Sequence, residues 1–262
     1  MLNFCSLYSG SSGNCLFVES DNTKLLIDAG VSLKKIEEGL DTLEVPSSSI
    51  DAILVTHEHS DHIKNLANLS KKYDIPVYSC IETFDAMPMQ TNKISEYNIN
   101  KIKVGEHFSI NDLDINPFSI PHDAANPCGF TISNKNKKIG IATDIGHMTK
   151  QILRHLEGSD FVLLESNYEP EVLRACRYPF ILKRRISGPN GHLSNEEAGK
   201  TINYLLHDNL KSAILGHLSK ESNLPELAYQ TVIDEIISNG TSVEKINLSV
   251  ASRDNPGKLI HI

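Results

Sequence analysis

Residues 57–62 have the side chain types of a metal centre. Their sequence is His-Glu-His-Ser-Asp-His, and they directly follow an apolar run at residues 52–56. Imidazole nitrogens and carboxylate oxygens are ligands that suit zinc, manganese and iron. A single ion does not need four ligands packed so tightly. We therefore interpret this segment as half of a two-metal centre.

Further candidate ligands follow apolar runs that are predicted to be strands. Asp28 follows residues 25–27, and His122, Asp144 and His217 each end a later apolar run in the same way. Strand ends that one sheet edge places side by side form a rigid rim, which suits a preorganised site. A lone histidine after a strand is usually structural. Five strand ends that carry only His or Asp, with His57 among them, favour one shared site instead.

The apolar patterns predict strands that first occur in clusters and then alternate with helices. Strands are predicted at residues 3–8, 15–19, 24–28, 52–56, 76–79, 114–120, 129–133, 138–143, 161–165, 212–215, 242–250 and 258–261, and helices at 33–40, 63–73, 82–87, 149–156, 195–206 and 224–238. Asp61 and Ser194 are the predicted N-caps of the helices that follow them. The mixture predicts an α/β fold of two packed sheets covered by helices.

Length and composition are typical of a globular protein. The chain has 262 residues, of which 40% are hydrophobic and 22% charged, and we expect one domain over residues 1–262. No run approaches the roughly 20 apolar residues of a membrane span, and the first residues do not resemble a signal peptide. Five scattered cysteines without a CxxC pair indicate reduced thiols. We therefore expect a cytoplasmic protein that does not associate with a membrane.

The charge distribution bears on the substrate. The formal net charge is −8, which by itself argues mildly against a polyanionic substrate. Residues 172–192, however, contain five basic residues and no acidic one. Two divalent metals would also add about four positive charges at the site. The basic stretch is therefore either an approach for a polyanion or an ordinary solvated face.

The order of the candidate ligands is similar to the five motifs of the metallo-β-lactamase fold. In this chain the motifs are Asp28, His57-x-His59-x-Asp61-His62, His122, Asp144 and His217. The resemblance covers the whole chain in the expected order. It implies an αβ/βα four-layer sandwich with two divalent metal ions in a cleft at the sheet edges.

The resemblance also implies a role for each ligand. His57, His59 and His122 would hold one metal. Asp61, His62 and His217 would hold the other, and Asp144 would bridge the two. Asp28 would orient a ligand histidine. The ligand set fits Zn, Mn or Fe.

Other segments narrow the resemblance. His59 stands where oxygen-reducing diiron relatives usually have an acidic residue, which favours hydrolysis over redox chemistry. Gly-Ser-Ser-Gly-Asn at residues 10–14 and the segments 191–197 and 217–223 resemble the YycJ/WalJ group, whose bacterial cytosolic members are associated with 5′-to-3′ exonuclease activity on DNA. Gly191 and His192 also resemble a histidine motif that β-CASP nucleases carry near the scissile phosphate.

The leading hypothesis is a dinuclear-metal phosphodiesterase in which a metal-bridging hydroxide attacks a phosphodiester. Asp61 would orient or deprotonate the hydroxide. His192 would hydrogen-bond a phosphate oxygen or protonate the leaving oxygen, because an imidazole can do either near neutral pH. The alternative for His192 is a structural role that caps the helix after it. Glu165 is predicted to be structural or to support a ligand.

Candidate substrate contacts lie in two segments. The turn at residues 10–14 offers Ser11, Ser12 and Asn14 to a phosphate, and an ordinary hairpin turn is the alternative. Arg184 and Arg185 in the basic stretch are the other candidates. The substrate would be a nucleic acid, DNA more than RNA, and the oligomeric state stays open.

Two other functions are compatible with the sequence. A thioester or lactone hydrolase of the glyoxalase II type has the same ligand segment and a similar length, and the acidic net charge favours a small substrate. The basic stretch and Gly191-His192 favour the nuclease. A metal-stabilised scaffold protein without activity is the third hypothesis, and the complete ligand set argues against it.

Overall fold

The computed structural model describes residues 1–206 and 210–262, which contain two seven-stranded sheets. The first sheet contains β1 (Leu2–Tyr8), β2 (Cys15–Ser20), β3 (Lys24–Ile27), β4 (Ala52–Leu54), β5 (Val77–Cys80) and β6 (Ile99–Ile102). The second contains β7 (Phe108–Ile110), β8 (Leu113–Ser119), β9 (Cys128–Asn134), β10 (Lys137–Ala142), β11 (Phe161–Glu165), β12 (Ser212–Gly216) and β13 (Asn247–Val250). The last strand, β14 (Ile260–His261), pairs with β1 in the first sheet.

The two sheets follow the same plan. Their strand orders are β14-β1-β2-β3-β4-β5-β6 and β13-β12-β11-β10-β9-β8-β7. Strands β3 to β6 are parallel to one another, and so are β10 to β13. The carboxyl ends of parallel strands meet at one edge of a sheet, so each sheet has one edge at which side chains from several strands can converge.

Helices lie between and around the strands of both sheets. They are α1 (Leu33–Asp41), α2 (Ser60–Ile63), α3 (Leu66–Tyr73), α4 (Ile81–Ala86), α5 (Pro88–Thr91), α6 (Lys150–Leu156), α7 (Pro170–Ala175), α8 (Phe180–Ile186), α9 (Asn195–Leu205) and α10 (Pro225–Ser238). Short 3-10 turns lie at Ser47–Ser49, Glu96–Asn98 and Val243–Lys245. Within the described part of the chain, every helix is too short or too polar to span a bilayer.

Three apolar clusters fill the spaces between the layers. The central cluster joins the two sheets, and in it the rings of Phe4 and Phe161 lie 4.5 Å apart. A second cluster packs α1, α3 and α4 on the first sheet, and a third packs α6, α9 and α10 on the second. The layers are therefore helix, sheet, sheet and helix, which confirms the predicted α/β fold and its four-layer sandwich.

Most predicted elements are present, with ends that differ by one or two residues. Two predicted starts are wrong: the strand predicted from residue 242 begins at Asn247, after a 3-10 turn, and the helix predicted from residue 63 begins at Leu66. The cap at Ser194 is confirmed, since its hydroxyl accepts a hydrogen bond from the backbone N–H of Glu197 at 3.3 Å. The cap at Asp61 is wrong, because α2 begins at Ser60 and His59 holds the cap position. The carboxylate of Asp61 instead lies 3.4 Å from a ring nitrogen of His217.

Candidate metal centre

Six polar side chains stand at or just beyond strand ends, where the edges of the two sheets face each other. They are Asp28 and His57 beyond β3 and β4, and His122, Asp144, Glu165 and His217 at or beyond β8, β10, β11 and β12. All six are buried. The rim that the sequence predicts is therefore present, and it is built from both sheets.

Three of these strand-end residues have a left-handed backbone. The φ angles are 63° at Asp28, 59° at Asp144 and 55° at His217. A residue with a Cβ adopts this conformation at a cost of about 1–3 kcal/mol, and such positions cluster at functional sites. The conformation turns the chain sharply where each strand stops, so the side chain faces the rim.

The first candidate ligand group contains His57, His59 and His122. One ligand atom from each lies within 4.8 Å of the others. His122 Nε2 lies 3.3 Å from His59 Nδ1, and His122 Nδ1 is hydrogen-bonded to the carbonyl oxygen of Gly191 at 2.9 Å. That carbonyl fixes the orientation of the His122 ring and leaves Nε2 facing the group.

The second candidate group contains Asp61, His62 and His217. The carboxylate of Asp61 lies 3.4 Å from His217 Nε2 and 3.6 Å from His62 Nε2. Behind the group, Asp28 Oδ2 lies 2.7 Å from His62 Nδ1. This contact holds the His62 ring with Nε2 toward the group, which is the orienting role expected for Asp28.

Asp144 lies between the two groups. Its carboxylate is 3.3 Å from His62 Nε2 and 3.7 Å from His122 Nε2, so it reaches a histidine of each group. Asp144 also belongs to a set with His57 and His62 whose ligand atoms converge. Asp144 is therefore placed where its carboxylate can reach both groups.

Glu165 supports two histidines at once. Its Oε1 lies 2.9 Å from His192 Nδ1 and 2.8 Å from His217 Nδ1. Its Oε2 accepts hydrogen bonds from the backbone N–H groups of Ile145 and Leu193, at 2.6 and 3.0 Å. Glu165 therefore positions both His192 and His217, whereas the sequence indicated only a general supporting role.

His192 lies at the rim of the centre. Its ring is 5.1 Å from that of His122 and 5.4 Å from that of His217. Its neighbour Gly191 packs on the end of α8 so closely that a Cβ would lie 2.2 Å from the carbonyl oxygens of Arg185 and Ile186. Only glycine fits there, which explains why Gly191 precedes His192.

The turn at residues 10–14 also touches the centre. Asn14 is buried, and its side-chain nitrogen lies 3.1 Å from His62 Nε2. Its backbone N–H donates to the carbonyl oxygen of Asp61 at 2.8 Å. Ser11 and Ser12 in the same turn are exposed. Asn14 therefore positions the second group, and the two serines are the members of the turn that a substrate can reach.

The pKa values in the centre indicate a site that needs positive charge. Burial disfavours the charged form of His62, but the carboxylates of Asp144 and Asp28 outweigh it and raise the pKa of His62 to about 9. Burial also disfavours the charged form of His217, but the carboxylates of Asp144, Asp61 and Glu165 raise its pKa well above its usual range. Burial would raise the pKa of Asp61, but the hydrogen bond from His217 and the charge of His62 keep it well below its usual range. In the absence of metal, protons on histidines must balance these carboxylates.

The residues fit a divalent metal site. His57 Nε2 and Asp144 Oδ2 are buried and make no hydrogen bond. Buried polar atoms in native proteins almost always have a partner, so a cation would satisfy His57 Nε2 and add to the 3.3 Å contact that Asp144 Oδ2 has with His62 Nε2. Burial and the neighbouring histidines lower the pKa of His57 well below its usual value, which keeps this ring neutral and able to ligate.

The predicted substrate residues of the basic stretch have different surroundings. Arg185 forms a two-bond ion pair with Asp123, at 2.6 and 2.9 Å, so its charge is already balanced. Arg184 lies over the ring of Phe180 at 5.9 Å, and Phe180 is exposed. The two arginines therefore differ in the charge that they can offer to a substrate.

Four of the described histidines are not predicted to take part in the chemistry. All four lie outside the candidate ligand groups. They are His107, His147, His155 and His261. His147 is hydrogen-bonded to the carbonyl oxygen of Pro189 at 2.8 Å, which gives it a structural role. His207 is not a predicted ligand either and lies outside the described residues.

Comparison with known proteins agrees with this fold and site. The family model for the β-lactamase superfamily domain matches residues 23–217, which include every candidate ligand. The crystal structure of YhfI from Bacillus subtilis, a metallo-β-lactamase fold protein, has a TM-score of 0.72 over 99% of this chain and 98% of its own, at 16% identity. The chain belongs to the β-lactamase superfamily, has the metallo-β-lactamase fold, and is a metal-dependent hydrolase.

Two relatives are similar over most of their length. One is the exodeoxyribonuclease YycJ of Bacillus anthracis, with 38% identity over 242 residues and 92% of each chain covered. The other is the exodeoxyribonuclease WalJ of Streptococcus pneumoniae, with 37% identity over 232 residues, 88% of this chain and 86% of the relative. These matches confirm the resemblance to the YycJ/WalJ group.

Proposed function

We propose that this chain is a 5′-to-3′ exodeoxyribonuclease that hydrolyses phosphodiester bonds with two divalent metal ions. The observation that carries the proposal is the 38% identity to a protein named exodeoxyribonuclease over 92% of both chains. That similarity favours a nucleic acid, and DNA over RNA, as the substrate. It also favours the nuclease over a thioester or lactone hydrolase of the glyoxalase II type.

The ligand groups support a two-metal centre. His57, His59 and His122 would hold one ion and Asp61, His62 and His217 the other, while Asp144, whose carboxylate reaches a histidine of each group, would be the ligand that both share. The ions would be Zn, Mn or Fe, which this mixture of nitrogen and oxygen ligands suits. When bound, two such ions lower the pKa of a water and offset negative charge on the phosphoryl oxygens.

Asp61 and His192 are the proposed catalytic residues. The low pKa of Asp61 keeps it ionised, so it orients the attacking water by accepting a hydrogen bond and is a poor proton acceptor. The contact between His192 Nδ1 and Glu165 at 2.9 Å holds the His192 ring in one orientation. The other ring nitrogen, Nε2, then donates a hydrogen bond to a phosphate oxygen or a proton to the leaving oxygen.

The substrate contacts that we propose follow from the exposure and charge of four side chains and the position of a fifth, Asn14. Ser11 and Ser12 donate hydrogen bonds to a phosphate, while Asn14 acts on the same substrate through the second ligand group that it positions. Arg184 contacts the strand directly. Arg185 does so only where a phosphate displaces Asp123 from it.

Three wider features complete the proposal. One domain spans residues 1–262, because the central cluster joins the two sheets. The location is cytoplasmic, which the five free cysteines, four of them buried, support. No membrane takes part in the reaction.

The test compares substrates in parallel. Purified protein with added Mn²⁺ or Zn²⁺ is incubated with 5′-labelled single- and double-stranded DNA, the same RNA sequences, and a thioester. We expect release of labelled mononucleotide from DNA as the first product. Hydrolysis of the thioester with no cleavage of nucleic acid would overturn the proposal.

A variant separates the catalytic role of His192 from metal binding. His192→Ala should retain both metals by elemental analysis and lose about 100-fold in turnover, the usual contribution of a general acid. His107→Ala is the matched control, since His107 is exposed and outside the ligand groups. A His192→Ala protein with full turnover would contradict the role.

A further inference from the structure

A basic pocket lies beside the second ligand group. Its volume is about 370 Å³. Its lining includes Ser12 and Ser32, the cations of Lys35, Lys64, Lys220 and Arg253, and the carboxylate of Asp254. Four cations against one carboxylate give the pocket a formal charge of +3 in a chain whose net charge is −8. Such a concentration of one sign attracts an anion.

The cations of this pocket are available to a ligand. Within the described residues, none of the four forms an ion pair with a carboxylate of the protein. Lys35 lies over the ring of Tyr8 at 5.0 Å, which holds its ammonium group in place without neutralising it. Arg253 donates one hydrogen bond to the carbonyl oxygen of Leu218 at 2.8 Å, while its buried Nε makes none. By contrast, Arg185 in the basic stretch is neutralised by Asp123.

The walls of the pocket continue from segments that carry candidate ligands. Ser12 is two residues before Asn14, Lys64 is two residues after His62, and Lys220 is three residues after His217. Arg253 packs on the same glycine-rich turn, since a Cβ at Gly10 would lie 3.0 Å from its Nε. The pocket and the metal centre therefore share the turn at residues 10–14 and lie next to each other.

Helix α1 adds to the positive potential. It begins at Leu33, Ser32 caps its amino end by accepting a hydrogen bond from the Lys35 N–H, and its first turn contains no acidic residue. The amino end of a helix carries a partial positive charge and free N–H groups, which favour an anion. Ser32 and Lys35 bring this end into the lining of the pocket.

From this charge and position we infer that the pocket binds a phosphate of the substrate strand other than the one that is cleaved. The inference rests on the proposed nuclease function. Lysine and arginine form charge-assisted hydrogen bonds with phosphate oxygens, and Ser12 and Ser32 supply neutral donors. A phosphate held here sets the register of the strand, because the neighbouring metal centre then receives one particular phosphodiester.

The test measures binding and turnover separately. Lys35→Ala and Lys220→Ala are combined in one variant, and metal-loaded protein is titrated into a 5′-phosphorylated single-stranded DNA with phosphorothioate linkages, which slow cleavage. We expect Kd to rise about tenfold, and the slope of log Kd against log salt to fall by about 0.7 for each phosphate that the variant no longer neutralises. On DNA without phosphorothioate linkages, we expect the double variant to raise KM more than it lowers kcat.

Lys34→Ala is the matched control. Lys34 is the neighbour of Lys35 in α1, its side chain is 84% exposed, and it pairs with Glu38 outside the pocket. The substitution Lys34→Ala removes one positive charge from the same helix, so it reports the general effect of lost charge on DNA binding. Lys35→Arg, which keeps the charge, should retain most of the affinity. A double variant whose Kd matches that of Lys34→Ala would overturn the inference.

A second strand with a 5′-hydroxyl end distinguishes two sources of the phosphate. A decrease in affinity confined to the phosphorylated strand identifies the terminal phosphate, and an equal decrease on both strands identifies a backbone phosphate. Both outcomes support the proposed phosphate pocket.

The experiment also separates the pocket from the nuclease function. If the wild-type protein cleaves DNA and the pocket variants bind DNA like the control, only the pocket proposal fails. If the wild-type protein cleaves no nucleic acid, the proposed function fails, whatever the variants bind.

Discussion

Glu165 links the proposed catalytic histidine to the metal centre. One carboxylate oxygen contacts both His192 and His217, and the other accepts two backbone N–H groups. Burial would raise the pKa of Glu165, but the two histidines outweigh it and hold the pKa well below its usual range. An ionised Glu165 therefore orients both rings and favours a proton on each Nδ1.

The substitution Glu165→Gln should impair the function of both His192 and His217. It keeps the size of the side chain but removes the charge that stabilises the two rings. We expect turnover on DNA to fall about 10- to 100-fold, as is usual for residues that support metal ligands, with a shift of the pH–rate profile. Glu169→Gln is the control, because Glu169 contacts Asn195 and Thr231 and not the ligand groups. An unchanged pH profile and full turnover would show that Glu165 is only structural.

The raised pKa of His62 predicts how the metal-free protein responds to pH. A histidine whose pKa is about 9 in the folded protein and near the ordinary value of 6.5 when unfolded stabilises the fold fully below 6.5 and loses this contribution as pH rises through 9. His217 acts in the same direction. We expect the Tm of protein treated with EDTA to fall between pH 6.5 and pH 9. A flat or rising Tm over this window would contradict the assignment.

At the level of single residues, the sequence predicted the ligands better than their supports. Asp28, His57 and His217 each follow an apolar run, and that pattern is visible in one dimension. Glu165 also ends an apolar strand, so the same pattern marked it, but its contacts depend on how neighbouring strands are aligned. Asn14 contacts His62 across 48 residues of chain, and no local pattern reports such a contact.

At the level of elements, the close approach of two loops fixes the second ligand group. Gly30 lies so near to α2 that a Cβ there would be 1.6 Å from the carbonyl oxygen of Asp61. The neighbouring Ala29 N–H donates to the carbonyl oxygen of His62 at 2.7 Å, which ties the loop after β3 to α2. The position of the Asp61 backbone thus depends on a glycine that the ligand pattern does not include.

Gly30→Ala should therefore displace Asp61 and His62. The added methyl group meets backbone, which cannot rotate away, so we expect a destabilisation of about 1–3 kcal/mol, the usual cost of overpacking, and weaker binding of one metal. Gly39→Ala in α1 is the control, because its Cβ would meet only side-chain atoms of Leu7 and Tyr8 in β1, at 3.3 Å or more. Normal metal content and turnover in Gly30→Ala would show that the loops separate easily.

The elements that were not predicted are short. Strands β6 and β7 have four and three residues, and α7 and α8 have six and seven. Elements of this length show a period of 2 or 3.6 only weakly. The equally short β4 and α6 were predicted because they bury several apolar residues, whereas β6 and α7 bury one each. Helix α8 also exposes Phe180 and Ile181, by 72% and 83%, so its apolar residues do not mark a buried face. Long-range pairing and packing, which a local pattern does not contain, determine these elements.

At the scale of the whole molecule, the metal centre joins the two halves of the sandwich. His57 and His59 in the loop after β4, and Asp61 and His62 in α2, come from the first sheet's side, whereas His122, Asp144 and His217 follow strands of the second sheet. Each ligand group contains residues from both sides. Ions held by these residues would cross-link the two sides at the sheet edges, in addition to the apolar cluster between the sheets.

Metal removal should accordingly destabilise the entire fold. A ligand that binds only the folded state stabilises it by RT ln(1 + [L]/Kd), or about 2.7 kcal/mol at a concentration of 100 Kd. We expect two divalent ions per chain by elemental analysis. Treatment with EDTA should lower the Tm and slow DNA turnover, and Mn²⁺ or Zn²⁺ should restore both.

Variants of the ligands test whether the Tm shift comes from this site. The double variant His57→Ala, His62→Ala removes a ligand from each group and should show almost no shift of Tm with EDTA. His155→Ala, outside the groups, should respond as the wild type does. A wild-type protein that keeps its Tm when the ions are removed would show that the apolar cluster alone holds the two sheets together.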